Sequence, residues 1–317
     1  MNIPKTLAAG SAGLILISLA ACSALQPAPV ITEAAPSPQA QPATGVQYHF
    51  VTNQLLLPTT QSQADEYALN VDGDSGKSGD NHFGRLLSLL NSAAPGLELQ
   101  ATLDDAVVTG KLVSLHVLKA DDPLNDPSAS WSIVLGHETG SPPTFDGSDE
   151  FTIAPDDVVN EPIVGALSAG HFSGGPGAAQ TRIFLFGHPV DVSLLGVRLE
   201  ADISAQGCTN GRLGGGVSVD EFRGKLLPII ADGLNEVLAA NPDASKLVLQ
   251  AFDSDRNGEI SVEELERNPL LMLAISPDLD LMDASGAFNP RQDGQKDSYS
   301  AGFGFTCVPA VFEAPGD

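Results

Sequence analysis

The sequence predicts a mainly β fold, a sandwich or partly open barrel, with a helical insertion near the C-terminus that makes it α+β overall. Three observations predict it. Glycine and proline supply 32 and 23 of the 317 residues, more turn-formers than a helical bundle tolerates. Between Tyr48 and Gly216 the apolar residues come in short runs broken by Gly, Asp and Pro, the pattern of strands joined by turns. From Val217 the period becomes helical, and after residue 298 it is strand-like again.

The strand runs are Val107–Leu118, Ser130–Leu135, Ile163–Leu167, Arg182–Phe186 and Val192–Ile203. In the first, Val113, Leu115 and Val117 alternate with Ser114 and His116, which suits a sheet buried on one face. One early helix stands out, Asn81 to Asn91, with Phe83, Leu86, Leu87, Leu89 and Leu90 on a broad apolar face. The helical segment spans about 218–276. It opens on Ser218 with Glu221 three residues on, a capping-box pattern, and continues through Phe222, Leu226, Leu227, Ile230, Leu234 and Val237. Pro228 predicts a kink or break there. A second helix is expected from Asp243 through Phe252, and a last strand over Tyr299–Val308.

The charge narrows the partners. Forty acidic against fifteen basic residues leave −25, a repulsive field for phosphate backbones, so nucleic acid is not an expected partner. The apolar share of 42% against 17% charged residues leaves enough to build a core.

At the N-terminus a single Lys precedes the apolar stretch Gly13–Ala20, too short to span a bilayer comfortably. It ends in Leu19-Ala20-Ala21-Cys22, which resembles the lipobox of bacterial lipoproteins. The resemblance implies removal of a signal peptide 1–21 and a lipidated Cys22 at the new N-terminus. It further implies anchoring by two or more acyl chains, with palmitate-like groups in the membrane. Ser23 after the cysteine favours the outer membrane in a cell that has two. Residues 22–46 are rich in Pro and Ala and read as a tether, leaving 47–317 as one β-rich domain. In an exported chain the remaining cysteines, Cys208 and Cys307, are expected to form a disulfide. That bond would return the last strand to the β part and make the helical segment an insertion.

Asp253-Ser-Asp-Arg-Asn-Gly-Glu-Ile-Ser-Val-Glu-Glu264 resembles an EF-hand calcium loop. Asp253, Asp255 and Asn257 fall at the first side-chain ligand positions, and Gly258 at the sharp turn. Glu259 falls where a backbone carbonyl binds, Ser261 where a bridging water is common, and Glu264 where a bidentate carboxylate closes the site. Ile260 takes the apolar position, and Pro269 should end the exiting helix after barely two turns. A single such loop and only three Met argue for a static calcium site, with affinity on the order of 10⁻⁴ to 10⁻³ M, rather than a sensor. Asp72, Asp74, Asp80 and Asn81 resemble a degenerate second loop, with a plain turn and a helix N-cap as the alternative. Asp278, Asp280, Asp283, Asp293 and Asp297 have no standard spacing and read as a solvated loop.

The six histidines stand apart, with no HExxH pair, and no G-x-S-x-G elbow, Walker loop or dinucleotide fingerprint occurs. Gly170-His-Phe-Ser-Gly-Gly-Pro-Gly177 reads as a glycine-rich turn, so no catalytic residues are assigned. The expected function is a calcium-binding, lipid-anchored envelope protein, a binding or structural module for another envelope protein or carbohydrate. The alternative is an envelope hydrolase with its active site on the β loops and a structural calcium.

Overall fold

The computed structural model describes residues 45–74, 79–154, 161–240, 242–272 and 274–313. The strands are β1 (Val46–Leu56), β2 (Ser114–Ala120), β3 (Ser130–Leu135), β4 (Glu150–Thr152), β5 (Ile163–Ser168), β6 (His171–Leu185), β7 (His188–Ser204), β8 (Gly207–Ser218), β9 (Ser298–Pro309) and β10 (Val311–Glu313). The helices are α1 (Gln61–Glu66), α2 (His82–Ala93), α3 (Leu99–Val108), α4 (Val219–Glu221), α5 (Leu227–Ala240), α6 (Pro242–Phe252) and α7 (Val262–Arg267). Eight strands close a barrel in the order β1-β2-β3-β5-β6-β7-β8-β9, and every neighbouring pair is antiparallel. Closure removes the open edges that a sandwich of this size would have to protect. Among the described residues the one parallel pair, β4 with β10, forms a separate two-stranded sheet.

The barrel interior is filled. Trp131 lies within 5.2–6.4 Å, centroid to centroid, of Phe50, Phe172, Phe305 and the His116 ring. At one end Phe83 of α2 meets Phe303 of β9 and Phe222 edge-on, and Phe222 stacks on Tyr299. Phe186, in the turn between β6 and β7, presses so closely on Gly233 of α5 that a methyl there would lie 2.2 Å from its ring. These aromatic contacts seal that end with helices. The other end, where β1 begins and β7, β8 and β9 turn, carries an open recess of about 660 Å³ lined by Tyr48, Phe50, Leu124, Ile203 and Pro309 among others. Ion pairs such as Arg182–Asp191 and Arg212–Glu200 lie on the outside of β6, β7 and β8.

Several expectations change. Val107 and Val108 end helix α3 rather than start a strand, and α3 and α1 join α2 as early helices. On β2 both faces are buried: Leu115, with Val113 just before the strand, packs outward with Val51, Val134 and Phe151 under the β4–β10 pair, while His116 and Leu118 face the interior. Ser218 caps its helix by accepting from the Glu221 amide, but the Glu221 carboxylate turns to the Ser193 amide and Lys225, so the box is half made. At Pro228 the chain does not break. The preceding residues, Phe222–Leu226, form a π turn in which the Leu227 amide donates to the Phe222 carbonyl, a local widening that accommodates the missing proline donor. The segment read as a turn at Gly170–Gly177 is mostly strand: β6 begins at His171, and its register against β7 shifts between Gly174 and Ala178. Glycines at such bulges let a barrel strand bend sharply.

The final strand returns as expected. Cys208 and Cys307 face each other across β8 and β9 and are disulfide-bonded, so the helices α4 to α7 lie between two neighbouring barrel strands.

Candidate metal centre

Loop 253–264 joins α6 to α7, and its shape follows from short polar side chains that capture backbone amides. Asp253 accepts from the amides of Asn257 (3.2 Å) and Gly258 (3.0 Å), Asp255 from that of Asn257 (2.9 Å), and Asn257 from that of Glu259 (2.8 Å). These closures pull the carboxylates inward and force tight backbone. Gly258 takes φ 91° and Arg256 φ 63°, the left-handed region, where glycine is at ease and a side chain costs about 1–2 kcal/mol.

Glu264 closes the loop. Ser261, expected at the water-bridged position, caps α7 in a full capping box with Glu264. One Glu264 oxygen accepts from the Ser254 amide and hydroxyl and the Asp255 amide, the other from the Ser261 amide and hydroxyl, all between 2.7 and 3.1 Å. The residue is only 8% exposed. Burial alone would push the Glu264 carboxyl up, but the amides of Ser261, Asp255 and Ser254 together outweigh it and hold the group at about 2. It is a carboxylate at any physiological pH.

One oxygen each from Asp253, Asp255 and Glu264 lies within 4.8 Å of the other two. A cation bonded at about 2.3–2.6 Å to each oxygen spans such a triangle. The donors are all hard oxygens and carry three negative charges, so the set suits a hard divalent cation rather than a thiophilic or imidazole-seeking metal. Asn257 binds Asp255 through its Nδ2 (3.1 Å), which keeps it on the same wall, while Glu259 is exposed. Phe252 and Ile260 place both flanks of the loop in the core, and Leu265 anchors α7 beside them. Asn268, which ends α7 just before Pro269, donates from Nδ2 to the Ala251 carbonyl at 2.6 Å and so ties the two helices together.

The remaining sequence candidates are arranged differently. Among the described residues, Asp72, Asp74 and Asp80 do not form a three-carboxylate group. Asp72 is buried and accepts from the Asp74 amide, and residues 75–78 lie outside the described ones. Asn81 is the N-cap of α2: its Oδ1 accepts from the Gly84 amide, and its Nδ2 donates to the carbonyls of Ala64 and Gly302. The 278–297 cluster is only partly a solvated loop: Asp293 is exposed and Asp283 bonds locally to Ser285, whereas Asp278, Asp280 and Asp297 are tied into the fold. Asp280 is 2% exposed, Asp278 accepts from the Ser300 amide and hydroxyl, and Asp297 accepts from the amides of Leu281 and Met282. Those carboxylates fasten a strap over β9, which no linear spacing announces. Cys22 lies outside the described residues.

The histidines are dispersed. His116 is inside the barrel, and His188 pairs with Glu236. His171 Nδ1 lies 2.7 Å from Asp202 Oδ1, with each side chain nearly half exposed on the face of β6 and β7. No helix among the described residues is long and apolar enough to cross a membrane. Comparison with protein-family models, with curated proteins and with solved structures finds no match to this chain, so the centre is interpreted from its own geometry.

Proposed function

We propose that this chain is a calcium-binding, lipid-anchored protein of the bacterial cell envelope, a binding or structural module whose bound ion braces the helical insertion. The observation that carries the reading is the convergence of Asp253, Asp255 and Glu264 oxygens within 4.8 Å, on a loop whose residue order resembles an EF-hand. Calcium is favoured over magnesium because the loop offers several carboxylate, amide and carbonyl oxygens, whereas magnesium is usually held by one or two carboxylates and keeps most of its waters. The ion would be held by Asp253, Asp255 and Glu264, with Asn257, the Glu259 carbonyl and Ser261 on the same loop. It would neutralise carboxylates that otherwise repel one another. A triad-type hydrolase built on His171 and Asp202 would need a nucleophile beside them in a water-excluding recess, and that pair lies on open strand surface.

Ten millimolar calcium should raise the melting temperature. With an affinity on the order of 10⁻⁴ to 10⁻³ M, linkage gives roughly 1.4–2.7 kcal/mol. For a domain of this size that is about 3–10 °C. The Glu264→Ala variant should melt at the same temperature with calcium or with chelator, and a wild-type melt unmoved by calcium would overturn the reading.

Anchoring is supported by the residues Leu19–Cys22 behind an apolar stretch. Expressed in a bacterium with a labelled fatty acid, the chain should incorporate label and sediment with membranes, whereas Cys22→Ser should do neither. Retention of both by the variant would refute the lipobox.

A further inference from the structure

Asn235, on α5, addresses one residue of the loop with its whole carboxamide. Its Nδ2 donates to the Ile260 carbonyl at 2.8 Å, and its Oδ1 accepts from the Ile260 amide at 2.8 Å. Ile260 is 3% exposed, so both of these backbone groups would be costly to leave unpaired. A neighbouring strand normally supplies such a reciprocal pair. Here a single side chain does, and the amide is suited to it because it offers one donor and one acceptor side by side. A carboxylate lacks the donor, and an aliphatic side chain lacks both.

We propose that Asn235 is a positioning residue that sets the calcium affinity of loop 253–264 by holding the Ile260 peptide groups in place before the ion arrives. The inference rests on the calcium reading above. Ile260 stands between Glu259, whose carbonyl is a ligand in that reading, and Ser261, which orients Glu264 through the capping box. Three carboxylates within 4.8 Å repel one another when no cation lies between them. A loop tethered only through its helices can splay to relieve that repulsion. The clamp on α5 denies it that freedom, so the ordering cost is met on folding rather than on binding. α5 is a suitable anchor because it is itself packed: Ile230, Ala231, Leu234 and Val237 are all buried.

The test is a calorimetric calcium titration of the full chain as wild type, Asn235→Leu and Asn235→Ala. It is combined with amide hydrogen exchange at Ile260 in chelator. Leucine approximates the shape without the hydrogen bonds, and alanine favours the helix, so at least one variant should keep the calcium-free fold. Losing the clamp should weaken calcium binding about tenfold, as one or two lost hydrogen bonds predict. It should also unprotect the Ile260 amide in chelator, where the released loop opens to water, so the stability in chelator falls by less than the lost binding energy. Equal affinity in wild type and both variants would overturn the inference and leave the calcium reading standing. A wild type that takes up no calcium would overturn both. Weakened binding matched by an equal loss of stability in chelator would assign Asn235 a merely structural role and also overturn it.

Discussion

Reduction of the Cys208–Cys307 bond should lower the unfolding free energy by about 4.7 kcal/mol, the chain-entropy value for a closed loop of about 100 residues. The two cysteines are 99 positions apart and directly opposed on β8 and β9, with both side chains buried. In the folded barrel the strands remain hydrogen-bonded neighbours without the bond, so little is lost on the native side. The unfolded chain, by contrast, regains the freedom of the whole helical insertion. The effect should appear as a lower urea midpoint for Cys208→Ala/Cys307→Ala than for the oxidised wild type. The unfolding slope should be steeper, because the uncrosslinked chain exposes more surface. Coincident curves would show that the bond does not constrain the unfolded state.

Acid should destabilise the barrel from an unusually high pH, and His116 is the reason. Its ring is buried between Phe305, stacked at 5.1 Å, and Trp131. The Trp131 Nε1–H donates to His116 Nδ1 at 3.0 Å. An indole nitrogen can only donate, so Nδ1 is bare and Nε2 carries the proton, which it donates to Thr52 Oγ1 at 2.7 Å. Protonating Nδ1 would place a charge in an apolar core and oppose two donors. Burial accordingly lowers the His116 pKa from 6.5 to about 3.

The depressed value means that the unfolded chain binds a proton below pH 6.5 that the folded chain refuses until about 3. The stabilisation is therefore complete above 6.5 and is lost as pH falls, by roughly 2 kcal/mol at pH 5 and about 4 kcal/mol at pH 3. The window from 6.5 to 5 lies above the carboxylates, including Glu264 at about 2, so there the slope belongs to histidine. Urea midpoints measured from pH 7 to 5 should fall for the wild type. They should become much shallower for His116→Gln, whose amide can keep both hydrogen bonds and does not titrate, leaving the lesser share of His49, whose pKa burial also lowers. A wild type with no slope in that window would show that the ring is not held neutral.

Much of the candidate centre was legible in linear order. Asp253, Asp255 and Glu264 are the carboxylates that converge, whereas Ser261, read as the water-bridged position, also caps α7 in a box with Glu264. A metal loop and a helix cap are local devices, built from residues a few positions apart, so spacing describes them well. Asn235 left no such mark, because it acts on a residue 25 positions away. The burial of Asp280 was also hidden, since the strap that buries it is folded back over β9. β8 was the least legible strand. Its glycines carry no apolar period, and they are there because neighbours press on them: a methyl on Gly216 would meet Leu281 at 2.2 Å.

By itself the sequence determined the local chemistry. The turn-rich strand composition, the apolar face of α2, the acidic loop and two cysteines apt for pairing all rest on neighbouring residues or on simple counting. Tertiary structure alone decided that the sheet closes on itself through β1 and β9, and that both faces of β2 are buried. It also decided that His116 stays neutral among aromatics and that the acidic loop is clamped to α5. Each of these depends on surfaces brought together from distant parts of the chain, where burial removes water and makes a single amide or ring nitrogen count.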